Sequence, residues 1–171
     1  MSNKFVLVSV ELLKNLKELA KGTEYEDEIK KVLESRKVIE NHDITKLPKT
    51  AVVKRVIDGD TVELFNGTVL RYVGITAPEE GEDFAEEATK LNQELVESKE
   101  IKLEYDNYTS DKFGRILAYP IVNGVNVCIE LVRKGMAELV IYQKRKPFIY
   151  QVQLLEAQEQ AKKNKLGIWK N

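Results

Sequence analysis

The sequence predicts an α+β protein: a small five-stranded β-barrel with helices packed outside it, preceded by a helical hairpin. Two hairpin signals, Asp58-Gly59 and Asn66-Gly67, lie between apolar runs, and such dipeptides form tight two-residue turns with positive φ at both positions. One helical pattern separates the third strand from the fourth, and further helices follow the fifth. This helix-interrupted order is typical of a five-stranded Greek-key barrel.

The composition sets limits on the class of protein. The chain has 171 residues, 43% of them hydrophobic and 32% charged, and a formal net charge of −1. This length suits one domain with an appendage, and no apolar run is long enough to cross a bilayer. We therefore expect no membrane partner. A balanced charge does not favour nonspecific nucleic-acid binding, so any polyanion must be held by a local basic patch.

The N-terminal residues 1–45 predict a helical hairpin. Apolar residues recur at helical spacing up to Gly22, and Thr23-Glu24-Tyr25-Glu26 has the form of a capping box that starts a second helix. Two short amphipathic helices must dock on the main domain, on a second copy or on another protein, and we favour the main domain. Residues 46–50 are predicted to be a linker, and residues 51–171 form the main domain.

The N-terminus, the single cysteine and the single histidine each bear on location or chemistry. The N-terminus carries no apolar signal segment followed by a small-residue cleavage site, so we expect a cytoplasmic protein. Cys128 is the single cysteine and forms no internal disulfide. His42 lies in a polar stretch, where histidines are solvated, and we assign it no role.

The remaining elements follow from periodicity. Two tight turns connect three antiparallel strands between Val52 and Ile75, and the predicted helix over about 82–98 has an acidic first turn. Strands are then predicted over 100–105 and 115–122, the second followed by an Asn123-Gly124 turn.

The C-terminal part is predicted to be mainly helical. Asn126 can cap a short helix that stops at Gly135, and residues 136–141 form a last extended piece. Pro147 opens the final helix, which has one apolar face.

Four charged residues are candidates for chemistry, and each also has a purely structural explanation. Arg71 lies in a strand with apolar neighbours on both faces, so it needs either a structural ion pair, which we place slightly ahead, or an anionic ligand. Asp60 follows a tight turn, where it is either a metal ligand at the barrel mouth or the acceptor of a local backbone hydrogen bond. Taken alone, Arg115 is a strand-end charge, and Glu79 begins an acidic run that a helix N-terminus explains.

Five motifs in register carry a resemblance to a known family. They are VIDGDTVEL, RYVGITAPEE, SDKFGRILAY, LVRKGMAEL and EAQEQAKKNKLGIW. In order and spacing they resemble the staphylococcal (thermo)nuclease family, over about residues 51–169, with an unrelated N-terminal extension. The resemblance implies an OB-fold barrel with three helices and a calcium-dependent phosphodiesterase, an endonuclease type of hydrolase acting on DNA and RNA.

The resemblance also implies roles for single residues. Arg71, Glu79 and Arg115 fall on the family's catalytic residues, and Asp60 falls on a calcium ligand. Glu79 would activate the attacking water while the arginines hold the phosphate oxygens, and the 5′ oxygen would leave so that the product carries a 3′-phosphate.

Substrate contacts are implied in the same way. Lys112 corresponds to a lysine that contacts a substrate phosphate, and Phe113 stands where an aromatic packs near the sugar or base. Ile141 and Tyr142 stand near the place of the family's base-stacking pair, and Tyr142 is the predicted substrate contact. Aromatic contacts of this kind favour single strands.

The metal site departs from the family pattern. Where the family places a second calcium-binding aspartate, this chain has Thr76. Asp60, the carbonyl of Ala77, waters and the Thr76 hydroxyl would then form a weakened calcium site, and other divalent metals remain open. Glu80 or Asp83 would be the nearby carboxylates to compensate.

Two function classes follow from these observations. The first is a metal-dependent nuclease, which we place ahead because the whole arginine–glutamate–arginine set is present. The second is a nuclease-fold module that binds nucleic acid or a nucleotide without efficient cleavage. A third interpretation gives residues 1–45 the function of recruiting a protein partner or of self-association.

Overall fold

The computed structural model describes residues 47–111, 113–141 and 146–170, together with positions 18, 21–23 and 26. The predicted N-terminal hairpin therefore lies almost entirely outside the described residues, and so do Lys112 and Tyr142.

Eight strands and three α-helices are present in the described part of the chain. They are β1 (Thr50–Asp58), β2 (Thr61–Leu64), β3 (Val69–Tyr72), β4 (Ile75–Thr76), α1 (Ala85–Val96), β5 (Glu100–Glu104), β6 (Ile116–Val122), β7 (Val125–Asn126), α2 (Val127–Arg133), β8 (Glu138–Leu139) and α3 (Gln151–Lys163). A short 3-10 helix, Gly167–Trp169, ends the described chain.

Five of these strands form a closed barrel. The hydrogen-bonded order is β3-β2-β1-β5-β6, and a parallel pairing of β3 with β6 closes the cylinder. The other barrel pairs are antiparallel. Side chains that alternate inward fill the interior, with Val53, Val62 and Leu70 fully buried. This is the α+β, OB-type barrel with three helices outside it that the sequence predicts. Strand β7 extends β6, and β4 pairs with β8 in a separate ladder.

The first turn differs from the prediction. Asp58 pairs with Thr61 across the hairpin, so Gly59 and Asp60 form its centre rather than Asp58 and Gly59. The φ angle is positive at neither Asp58 nor Gly59, and in the second predicted turn it is positive at Gly67 but not at Asn66. A Cβ at Gly59 would lie 2.5 Å from the Cβ of Ala77 and 2.9 Å from that of Ala88. Glycine is therefore required here for close packing and not for a left-handed conformation.

The first residue of each helix can be compared with the predicted start. Helix α1 begins at Ala85, three residues after the predicted start, because Phe84 adopts φ 67° and interrupts the helix. The amides of Cys128 and Ile129 donate to the Asn126 side chain, which confirms the predicted cap of α2. Helix α3 begins at Gln151 rather than at Pro147. In the portion of the chain that is described, none of the helices is long and apolar enough to span a membrane.

Candidate active site

A cleft of about 440 Å³ lies beside β3 and the start of β6. Its walls include Arg71, Arg115 and Phe113, together with Asp106 and Phe148. The parallel pairing places Leu70 opposite Ile116 and Arg71 opposite Leu117. This pairing, which closes the barrel, brings together two arginines that are 44 positions apart in the sequence (115 − 71).

Arg71 is held by a carboxylate and a carbonyl. Its Nη2 lies 2.8 Å from Asp60 Oδ2, and its Nη1 donates to the Tyr72 carbonyl oxygen at 2.8 Å. Only 17% of the Arg71 side chain is exposed. Of the two alternatives for this guanidinium, the structure shows the ion pair, and the partner is the residue that the sequence suggested as a metal ligand.

Asp60 is buried at the turn between β1 and β2. Its Oδ2 also accepts from the Ala77 amide at 2.8 Å, and its Oδ1 accepts from the Thr61 hydroxyl at 3.0 Å. Burial raises the pKa of the Asp60 carboxyl to about 6, although Arg71 and the Ala77 amide act in the opposite direction. The local Asx-type bond in this turn belongs to Asp58, whose Oδ1 accepts from the Asp60 amide.

Arg115 is positioned by the turn that precedes β6. Asp111 Oδ1 accepts from the amides of Phe113 and Arg115, and its Oδ2 accepts from Arg115 Nε at 2.6 Å. The Arg115 guanidinium carbon lies 5.5 Å from the centre of the Phe113 ring. Asp111 therefore fixes both the turn and the guanidinium in the wall of the cleft.

Glu79 lies in the loop between β4 and helix α1. It is exposed, and its amide donates to Glu82 Oε2 at 2.8 Å ahead of helix α1. The described lining of the cleft includes neither Glu79 nor the predicted metal ligands Asp60, Thr76 and Ala77. Thus the structure brings Arg71, Arg115 and Phe113 together, and Asp60 joins them through Arg71. Lys112 and Tyr142 are outside the described residues.

The oxygen donors around Asp60 do not fit a calcium ion in this arrangement. Calcium takes six to eight oxygens and depends on the charge of its ligands. Asp60 supplies one carboxylate, and both of its oxygens already accept hydrogen bonds. The described residues contain no cluster of three or more acidic, histidine or cysteine side chains that could hold a metal. Calcium as the cofactor therefore stays a prediction.

Asp106 is a further residue of the cleft that was not foreseen from the sequence. It is buried, and its Oδ2 accepts from the Tyr119 hydroxyl at 3.1 Å and from the Ile149 amide at 2.9 Å. It thereby ties the end of β5 to β6 and to the segment before α3. A single carboxylate after a strand has no distinctive pattern, so only the three-dimensional contacts identify it.

The fold and the cleft define an OB-type barrel with a pair of arginines at one edge. The chain belongs to the staphylococcal nuclease homologue family, whose sequence model matches residues 69–171.

Three named relatives support this assignment. The chain is 37% identical over 126 residues to Endonuclease YncB of Bacillus subtilis (strain 168), which covers 67% of this chain and 59% of the relative. It is 36% identical over 126 residues to the SPbeta prophage-derived endonuclease YokF of the same organism, covering 67% and 42%. It is 32% identical over 132 residues to the Thermonuclease of Staphylococcus hyicus, covering 72% and 77%. The similarity thus spans less than two thirds of either Bacillus relative.

Proposed function

We propose that this protein is a phosphodiesterase that cleaves DNA or RNA within the strand. The pair of arginines in one cleft carries the proposal. Guanidinium groups bind phosphate oxygens bidentately and remain charged at all physiological pH values. Relatives named as endonucleases and a thermonuclease support the same class of reaction.

The proposed chemistry uses the side chains of this chain. Arg71 and Arg115 bind the scissile phosphate, and they stabilise the negative charge that builds on its oxygens during attack by water. Glu79 takes a proton from that water as the new P–O bond forms. The bond between phosphorus and the 5′ oxygen breaks, and the 5′ oxygen takes a proton from solvent. The products carry 3′-phosphate and 5′-hydroxyl ends.

The present contacts of the arginines define what substrate binding must change. Arg71 is bonded to Asp60, and Arg115 is bonded to Asp111. A phosphate therefore competes with, or adds to, a carboxylate at each guanidinium. Phe113, 44% exposed, lies next to Arg115 and offers a ring on which a base of a single strand can stack.

The metal requirement belongs to the same proposal. The resemblance implies a divalent ion, calcium in the first place, near Asp60, Thr76 and Ala77. Assays in calcium, magnesium, manganese and chelator measure the requirement directly.

A binding module without efficient cleavage is the second candidate function. The position of Glu79 favours it, because this exposed carboxylate is absent from the described lining of the cleft that holds the arginines. A general base must come within hydrogen-bond reach of the water that it deprotonates, although such contacts often tighten only once substrate is bound.

A cleavage assay separates the two candidates. Wild-type protein is incubated with a labelled single-stranded oligonucleotide and with plasmid, and the ends of the products are identified by mass spectrometry. We expect cleavage that drops by about 10²-fold or more in Glu79→Gln and Arg115→Gln. Both side chains reach the surface, so circular dichroism can show that these variants fold. Retained binding with no cleavage in any metal would contradict the enzyme and support the module.

A further inference from the structure

A β-bulge places two cations side by side on the outside of the barrel. The pairing of β1 with β2 shifts register between Val53 and Arg55. Val53 points into the core, whereas Lys54 and Arg55 are both exposed. In a regular strand these neighbours would lie on opposite faces, and a bulge redirects such side chains. The bulge therefore concentrates positive charge on the outer face.

Glu63 orients the two cations. Lys54 Nζ donates to Glu63 Oε1 at 2.7 Å, and Arg55 Nε donates to Glu63 Oε2 at 2.7 Å. The carboxylate is covered by these contacts, but about half of each cationic side chain remains exposed. Two cations and one carboxylate leave one net positive charge. Their geometry is fixed before any ligand arrives, which reduces the entropy lost on binding.

The outer face that carries Glu63 is continuous with the cleft at Arg71. Thr61 pairs with Arg71 and Glu63 pairs with Val69, so side chains at these positions project from one side of the sheet. Glu63 follows Thr61 by two residues, about 7 Å along the strand. The cationic pair is thus the next row of side chains beyond Arg71.

An exposed aromatic ring continues this row. Phe65 is two residues after Glu63, and its amide still donates to the Val52 carbonyl at 3.0 Å. The ring is 67% exposed, the largest exposure of a large hydrophobic residue in the described ranges. We name Lys54, Arg55, Glu63 and Phe65 the meander face. An outward phenylalanine beside oriented cations is the combination that binds bases and phosphates of single strands.

We propose that the meander face is a second binding site for single-stranded nucleic acid, which continues from the cleft past the scissile phosphate. Lys54 and Arg55 contact the backbone, and Phe65 stacks on a base. Continuity with Arg71 and the net positive charge support this occupant. The inference rests on the proposed function, because it extends the substrate of that cleft.

The test compares a long ligand with a short one. Fluorescence anisotropy in chelator gives Kd for a DNA strand of about 12 nucleotides, within the site sizes of OB-folds, and for a dinucleotide. We expect Phe65→Ala to raise Kd for the 12-nucleotide strand at least about five-fold and to leave the dinucleotide unchanged. We expect Lys54→Gln/Arg55→Gln to lower the slope of log Kd against log salt by about 1. Glutamine keeps a donor for Glu63.

Matched controls come from the helices. Val152→Ala removes a 65% exposed apolar side chain from α3, and Lys134→Gln removes an exposed cation at the end of α2. Both should leave the two Kd values and the salt slope unchanged. Light scattering of wild type and Phe65→Ala shows whether the ring instead contacts a second copy.

The outcomes separate this inference from the proposed function. Wild-type binding that survives both meander-face substitutions would overturn the second site and leave the cleft in place. So would a dimer that Phe65→Ala converts to a monomer without a change in Kd. By contrast, a wild-type protein that cleaves neither ligand in calcium, magnesium or manganese, but whose affinity for the longer ligand in chelator falls on substitution of Phe65, would overturn the nuclease and keep the binding site.

Discussion

Arg71 Nη2 lies 2.8 Å from Asp60 Oδ2, and the same oxygen accepts from the Ala77 amide. One carboxylate therefore joins the turn after β1, the arginine of β3 and the loop after β4. Arg71 and Asp60 are both largely buried, so each charge depends on the other for compensation. Its consequences for stability can be measured without any assumption about activity.

Removing the cation of this pair should destabilise the fold. Arg71→Ala leaves Asp60 buried without its ionic partner, and we expect the free energy of unfolding to fall by about 2–4 kcal/mol. In an Asp60→Asn background the same substitution should cost less than about 1 kcal/mol, because no charge is left unpaired. Urea denaturation of the four proteins of this cycle gives the coupling. Equal losses in both backgrounds would show that the pair is not energetically coupled.

Close packing at Gly59 gives a second prediction. Gly59→Ala brings a methyl group within 2.5 Å of the Ala77 Cβ and 2.9 Å of the Ala88 Cβ, so the loop or helix α1 must move. We expect a loss of about 1–3 kcal/mol, measured by urea denaturation.

Gly67→Ala is the control for Gly59→Ala. Gly67 has φ +81° but no atom within 4 Å of the added Cβ. Gly67→Ala therefore tests backbone strain alone, whereas Gly59→Ala tests steric contact alone. If Gly59→Ala were as stable as wild type, the packing of Gly59 against Ala77 and Ala88 would be wrong.

The long strands and several turns and caps were predictable from the sequence because their signals are local. The Asn123-Gly124 turn has positive φ at both positions, and Asn126 caps α2, as the sequence predicts. The geometry of the first turn was not predictable, because the small size of Gly59 is required by Ala77 and Ala88, which are distant in sequence. The two-residue strands β4, β7 and β8 were not predicted as separate strands, because such short ladders depend on their partner strands. Residues 136–141, which include β8, were nevertheless predicted to be extended.

The candidate site was predictable only in part. A guanidinium in an apolar strand demands a partner, so the sequence could predict that Arg71 is paired, but it could not identify Asp60 as that partner. The meeting of Arg71 with Arg115 depends on the β3–β6 pairing that closes the barrel. The catalytic, metal-binding and substrate-binding roles of all the predicted site residues stay predictions.

Glu63 should make stability depend on pH in acid. The hydrogen bond from Lys54 and the contacts with Arg55 lower the pKa of the Glu63 carboxyl from its ordinary value of 4.5. A lowered folded-state pKa gives stability that is present above the ordinary value and is lost as pH falls through the folded value. Glu63→Gln should therefore cost about 1 kcal/mol at neutral pH, and this difference should shrink as the pH falls below the ordinary value of 4.5.

Glu159→Gln is the control for Glu63→Gln. Glu159 is 69% exposed and pairs with Lys162 at 3.3 Å, so its loss should change stability little. Urea denaturation over the pH range measures both variants. A difference between wild type and Glu63→Gln that does not change with pH would contradict the assigned ion pairs.

Thr76→Asp tests whether this barrel can bind calcium at Asp60. A second carboxylate raises the ligand charge, so calorimetric titration should show calcium binding at least about ten-fold tighter than in wild type. Thr76→Asn has the same shape without the charge and should show no gain. Thr76 pairs with Glu138 across the β4–β8 ladder, so the new aspartate should also destabilise the protein by up to about 1 kcal/mol, and calcium should reverse this loss. If Thr76→Asp bound calcium no better than Thr76→Asn, then Asp60 and position 76 would not share a metal site in this chain.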